Sequence, residues 1–181
     1  GKVLLLTMLD RSLQETTERE LETLLSELRA TLDSAADGML VCGLDRRVRA
    51  FNQRLAQLWN LPRQWLVERD DAAVYAFMAD QGSDPRFYAG RLAAIDREPM
   101  QEGTDIVELR NGVVLEMRTV PQFIQGRAVG RVYSFRDLTR QTETQASLRL
   151  AARVFESSLD ALFIADSQPR IMMLNPGCER L

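Results

Sequence analysis

Leucines stand at 21, 25, 28 and 32 with charged residues between them, a 4-3-4 spacing that places them on one stripe of a helix predicted over 12–31. The stripe lasts barely two heptads, so any coiled coil is short. The apolar run before it, "GKVLLLTMLDR" (1–11), reads as a strand. Two short apolar runs follow, "MLVCGLD" (39–45) and "VRAFN" (48–52), parted by a polar pair, and predict a hairpin. Asn52 then caps a short helix, "QRLAQLWN", which Pro62 ends. Helices are predicted over 69–80 and 86–96, separated by the breaker "QGSDP". "DIVELR" (105–110) and "VVLEMRTV" (113–120) flank Asn111-Gly112, the signal for a type I′ hairpin turn. A longer loop, "PQFIQGRA", leads to a strand over 129–139, and "RQTETQASLRLAARVFESS" is helical again. The expected fold is α+β: a five-stranded antiparallel sheet with a helical insert on one face, flanked by linker helices.

The pattern also recurs. Residues 32–52 align with 155–175, so that Ser34, Asp37, Arg47 and Asn52 meet Ser157, Asp160, Arg170 and Asn175. Apolar character is kept at Leu32/Phe155, Leu40/Phe163, Val41/Ile164 and Val48/Ile171. A second echo pairs "GKVLLLTMLDR" with "GRVYSFRDLTR" (130–140). These echoes predict an array: 1–11 as the last strand of a preceding unit, 12–31 as a linker helix, and 32–139 as a complete domain. Residues 140–156 form a second linker, and 157–181 the start of a following domain. The Asn175-Pro176 pair near the end suits a helix start. A two-stranded sheet is marginal alone, so 160–181 is expected to be mobile or to borrow a partner's edge.

Composition narrows the chemistry. The chain has 181 residues, 45% of them hydrophobic, and a net charge of −3 with dispersed positives, so no nucleic-acid footprint is expected. Two cysteines, Cys42 and Cys178, form no disulfide framework and point to a reducing, cytoplasmic setting, with any membrane anchor of the parent elsewhere. "VLLLTML" is too short to span a bilayer. There is no histidine, which removes a histidine phospho-acceptor, a histidine haem ligand and histidine-based acid–base catalysis. Neither a phosphate-binding glycine loop nor a metal-type cluster is evident, so no enzymatic role is expected.

The stretches "ATLDSAADGMLVCGLDRRVRAFNQRLAQLWNLP" and "VLEMRTV…GRVYSFRDLTRQ" resemble the opening and closing segments of the PAS domain superfamily. "DLT" (137–139) is similar to the Asp-Ile-Thr motif that ends many such domains. The resemblance implies a sensory or relay module of a bacterial signal-transduction protein. Its output domain, elsewhere in the parent, would be a histidine kinase, diguanylate cyclase or phosphodiesterase; the linker style is most similar to cyclic-di-GMP turnover proteins. It further implies a homodimer, seamed by Leu21, Leu25, Leu28 and Leu32, and transfer of conformational change through Asp137 and Thr139.

A PAS core cups ligands between sheet and insert, which makes Asn52, Trp59, Tyr75, Phe77, Met78, Phe87, Tyr88, Met117 and Ser134 the candidate pocket lining. Packing without a cofactor is the first expectation for them. FAD is the alternative cofactor, with Trp59 stacking on the ring and Asn52 bonding to it. A small-molecule ligand of another class is open, and a ligand-free spacer and dimerisation unit is the rival role. The reactive-cysteine motif of photoactive flavin domains does not occur, and Cys42 reads as a small buried hydrophobe.

Overall fold

The computed structural model describes residues 2–68, 70–168 and 170–180. The chain divides into two compact units, Gly1–Asp137 and Leu138–Leu181.

The first unit begins with α1 (Lys2–Asp33). The strand expected over 1–11 is therefore helix from Lys2 onward; Gly1 lies outside the described residues. The reason is local: leucine and methionine are good helix formers, and no glycine or proline separates this run from the helix behind it. Two strands follow, β1 (Gly38–Gly43) and β2 (Val48–Phe51). The insert holds four helices: α2 (Gln53–Trp59), α3 (Arg63–Glu68), α4 (Asp71–Gln81) and α5 (Pro85–Arg97). The six-residue α3 has too few turns to show periodicity, and the pattern missed it.

Three of the insert helices start on a side chain that accepts free backbone N–H groups. Asn52 caps α2, Asp70 caps α4, and Asp84 caps α5 just ahead of Pro85. At its far end α2 stops on Asn60 in the left-handed region, φ 51°, which returns its N–H to the last turn.

Three strands complete the sheet: β3 (Gly103–Glu108), β4 (Val114–Ile124) and β5 (Arg127–Asp137). The order is β2-β1-β5-β4-β3, all antiparallel, as the alternating pattern implied. β1 and β5 approach so closely that a Cβ on Gly130 would lie 2.1 Å from the carbonyl oxygen of Cys42, so only glycine fits there.

Two turns differ from expectation. At Asn111-Gly112 only the glycine has positive φ, 84°, and the link is a longer turn in which Val113 N–H donates to Asn111 Oδ1. The type I′ turn falls at Gln125-Gly126, φ 50° and 75°, within the segment expected to be a loop. There Ile124 pairs with Arg127, and β4 and β5 run on to the turn.

The core lies between the sheet and the insert. Leu55 and Trp59 of α2, Met78 of α4, Tyr88 of α5, Met117 of β4 and Phe135 of β5 are all buried in it. Each such side chain contributes about 1.5–3 kcal/mol of transfer free energy.

The second unit consists of α6 (Thr139–Ser157), β6 (Phe163–Ala165), β7 (Ile171–Leu174) and a 3₁₀ turn (Pro176–Arg180). Its hairpin copies the first in register. Leu40↔Phe51, Val41↔Ala50 and Cys42↔Val48 correspond to Phe163↔Leu174, Ile164↔Met173 and Ala165↔Ile171, with the irregularity at the same step.

Candidate functional site

β1, β5 and the insert enclose a cavity of about 220 Å³, lined by Cys42, Gly43, Leu44, Arg46, Tyr75, Leu92, Ile95, Pro99, Arg131 and Tyr133. Tyr75, from α4, makes a 2.8 Å hydrogen bond with Cys42 Sγ and donates to the carbonyl of Arg46 at 3.1 Å. The Arg46 guanidinium lies over the Tyr75 ring, 5.2 Å from its centroid. Burial pushes the Cys42 thiol up to about 11, partly offset by its bond to Tyr75. Burial and the neighbouring Cys42 raise the Tyr75 phenol as well. Both groups are therefore neutral at physiological pH, and Cys42 is a poor nucleophile.

Arg131 is the most unusual member of the wall. It is 5% exposed. Its Nε donates to Thr119 Oγ1 at 3.1 Å, Nη1 to the carbonyl of Pro99 and Nη2 to the carbonyl of Gln101, both at 2.5 Å. The guanidinium thus fastens the stretch between α5 and β3 to the sheet. Sequence reasoning passed over it, although the signal was present. In "GRVYSFRD" the period of two that buries Tyr133 and Phe135 also turns Arg131 inward.

Of the expected pocket residues, only Tyr75 lines the cavity. Trp59, Met78, Tyr88 and Met117 are core. The Trp59 ring packs 5.5 Å from Tyr88 and edge-on to Phe135 at 5.3 Å, and its buried Nε1 has no partner among the described residues. Burial raises the Tyr88 phenol, with lesser contributions from Tyr133 and Cys42. Phe77 packs edge-on against Trp65 at 5.4 Å. Phe87 is a correction: it is 47% exposed, on the outer side of α5. Ser134 is another, because the strand alternation puts it on the opposite face of β5 from Tyr133 and Phe135.

Asn52 has no hydrogen-bonding capacity left for a ligand. Its Oδ1 accepts from Met39 and Leu55 N–H, and its Nδ2 donates to the carbonyls of Leu32 and Asp37. The stacking and bonding roles foreseen for Trp59 and Asn52 toward a flavin do not fit these positions. The cavity is also below the range of about 300–1,000 Å³ usual for drug-sized ligands.

At the end of β5, Arg136 makes a two-point ion pair with Asp37, through Nε and Nη2 at 3.3 and 3.2 Å. That hydrogen bond and the charge of Asp37 raise the Arg136 pKa. Asp137 pairs with Arg54 of α2 at 3.6 Å. Thr139 is the first residue of α6, whose N-cap, Leu138, makes no side-chain capping bond. On α1, Leu21, Leu25 and Leu28 are more than half exposed, while Leu32 is partly buried. Among the described residues no group of His, Cys, Asp or Glu could hold a metal ion, and no helix is long and apolar enough to cross a membrane.

This arrangement, an antiparallel sheet cupping a cavity under short helices, agrees with the comparisons. The sequence model of the PAS domain matches residues 26–90 and 149–181, more than half of the chain. The chain belongs to the PAS domain family. Its fold is similar to that of an RNA-binding light-oxygen-voltage receptor, at 18% identity over 71% of this chain and 37% of that one, TM-score 0.50. The PAS domain of BvgS from Bordetella pertussis is 13% identical over 72% of this chain and 98% of that one, TM-score 0.48. The sensor region of a sensor histidine kinase is 20% identical, covering 60% of this chain and 41% of that one, TM-score 0.47. The chain thus spans less than half of the receptor and sensor-region chains. No curated protein matches it.

Proposed function

We propose that the chain is a sensory relay module of a bacterial signal-transduction protein, without catalytic activity of its own, working in the cytoplasm. One observation carries this reading: β5 holds Arg131 and Tyr133 at the cavity wall and Asp137, tied to Arg54, at its end. A change in what fills the cavity would act on β5 and be passed to the residues that follow it. Asp137 and Thr139 are the transfer residues. A ligand drives such a relay only through its different affinities for the two states.

Two further features support the wider reading. The exposed leucine stripe on α1 suits a dimer seam. The second unit repeats the hairpin register of the first, and the family match falls on both segments, which favours an array with a domain beginning after 157. The output domain, a histidine kinase or a cyclic-di-GMP enzyme, would lie elsewhere in the parent.

The test is a spin label attached at Ser147→Cys of α6, with Cys178→Ser removing the less buried native thiol and the buried, unreactive Cys42 kept in the cavity wall. Distances between labels in the dimer are measured with and without Asp137→Ala. The relay reading expects a shifted distance distribution; an identical one sinks it.

A further inference from the structure

Among the described residues, the cavity wall is electrostatically one-sided: two of the ten that line it are arginines, and none is Asp or Glu. Among the described residues, no ion pair involves Arg131. Its three hydrogen-bond acceptors are a hydroxyl and two carbonyls, all uncharged. A guanidinium carries five N–H donors, so two remain beyond those three bonds. Taking an ion out of water without a counter-charge is costly, and carbonyl oxygens offset only part of that cost. The rest of the wall is largely apolar or phenolic, with Leu92, Ile95, Tyr75 and Tyr133. A volume of about 220 Å³ leaves no room for a nucleotide or another large polyanion.

From this geometry we infer that the cavity takes a small organic carboxylate. Its two oxygens pair with the remaining donors of Arg131, and its apolar body lies against Leu92, Ile95 and Tyr75. A carboxylate matches the planar fork of a guanidinium and supplies a counter-charge that Arg131 does not find among the described residues. The inference rests on the reading of the cavity as the sensing site. The competing role for Arg131 is a fastener for the stretch 99–101, which needs no ligand.

The test uses the whole chain and three probes: benzoate, its neutral analogue benzamide, and inorganic phosphate. Calorimetric titration should give one benzoate per chain, with benzamide and phosphate each at least about tenfold weaker. Arg131→Gln should weaken benzoate binding by more than about tenfold. Should that variant fail to fold, Ile95→Phe, which fills the cavity and leaves the ties of Arg131 intact, should abolish binding while the circular dichroism spectrum stays native. Equal affinity for benzoate and benzamide, equal affinity for phosphate, or no benzoate binding at all would overturn the carboxylate assignment. The two proposals fail separately. Benzoate binding with no movement of the Ser147 label would sink the relay and leave the anion site standing. Benzamide binding alone would sink the anion site and leave a neutral ligand to drive the relay.

Discussion

Asn52 and Asn175, 123 positions apart, hold their hairpins by the same hydrogen bonds. In each copy Oδ1 accepts from the residue thirteen positions earlier, Met39 or Leu162. Nδ2 donates to carbonyls twenty and fifteen positions earlier, those of Leu32 and Asp37 or of Phe155 and Asp160. The backbone N–H of each asparagine bonds back to that same Met39 or Leu162. One side chain thus ties the end of a helix, the turn after it, and both strands of a hairpin.

Asn52→Ala should therefore be among the most destabilising single changes in the first unit. It strands two buried donors and two carbonyls, each costing about 1–3 kcal/mol when left unpaired. A loss of roughly 3–5 kcal/mol is expected by urea denaturation. Asn52→Asp keeps the Oδ1 bonds but loses the two donors, and should fall between. A loss under about 1 kcal/mol for the alanine variant would contradict the role.

These asparagines also mark what could be read from the sequence. Their spacing, the apolar echo around them and the strand order all rest on short-range patterns, and each carried over into the fold. The strand expected over 1–11 did not, because an apolar run of six to eight residues fits either state until its neighbours decide. The turn at Gln125-Gly126 was hidden because Gln rarely adopts the left-handed region, whereas Asn111-Gly112 carried the usual signal and formed a different turn. At the site, sequence alone left Trp59, Tyr88 and Asn52 open to two roles, packing or ligand contact, because an aromatic ring or an amide serves either. The fold buries Trp59 and Tyr88 in the core and turns Asn52 to the backbone. Arg131 was missed because arginine is normally counted as surface.

The buried thiol gives the fold an alkaline limit. Cys42 has its proton affinity raised in the folded state, to about 11 from 9.0. Between those values the unfolded chain loses this proton while the folded chain keeps it. The stabilisation is full below pH 9 and is lost as pH rises through about 11. That difference corresponds to roughly 2–3 kcal/mol. Cys42→Ala should remove this part of the alkaline fall in stability, leaving that of Tyr75 and Tyr88. Identical slopes for both proteins in urea titrations between about pH 8 and 11 would show that the thiol is not protected.

The β4–β5 turn offers a stabilising change. Gln125 holds φ 50° without the local hydrogen bonding that suits asparagine to that region. Gln125→Asn should raise stability by about 0.5–1 kcal/mol, read as an increase in melting temperature. Gly126→Ala, at φ 75°, should lower it by about 1–2 kcal/mol. If the asparagine variant melted lower, the type I′ assignment would be in error.

The leucines of α1 decide whether the unit stands alone. Leu21, Leu25 and Leu28 are all more than half exposed, on a helix whose other faces are charged. An isolated helix is marginal in water and gains most of its stability from packing an apolar face. Burying each leucine in a seam gains about 1.5–3 kcal/mol, and two copies double the count, enough to offset several kcal/mol of association cost. Leu25→Asp with Leu28→Asp would place four carboxylates in that seam. Sedimentation should show a dimer for the unaltered chain and a monomer for the double variant, with a loss of helical circular dichroism. Because neither leucine belongs to the buried core, near-ultraviolet signals from Trp59 and Tyr88 should persist. A monomer for both chains at high concentration would leave the stripe unpartnered and remove the dimer from the relay.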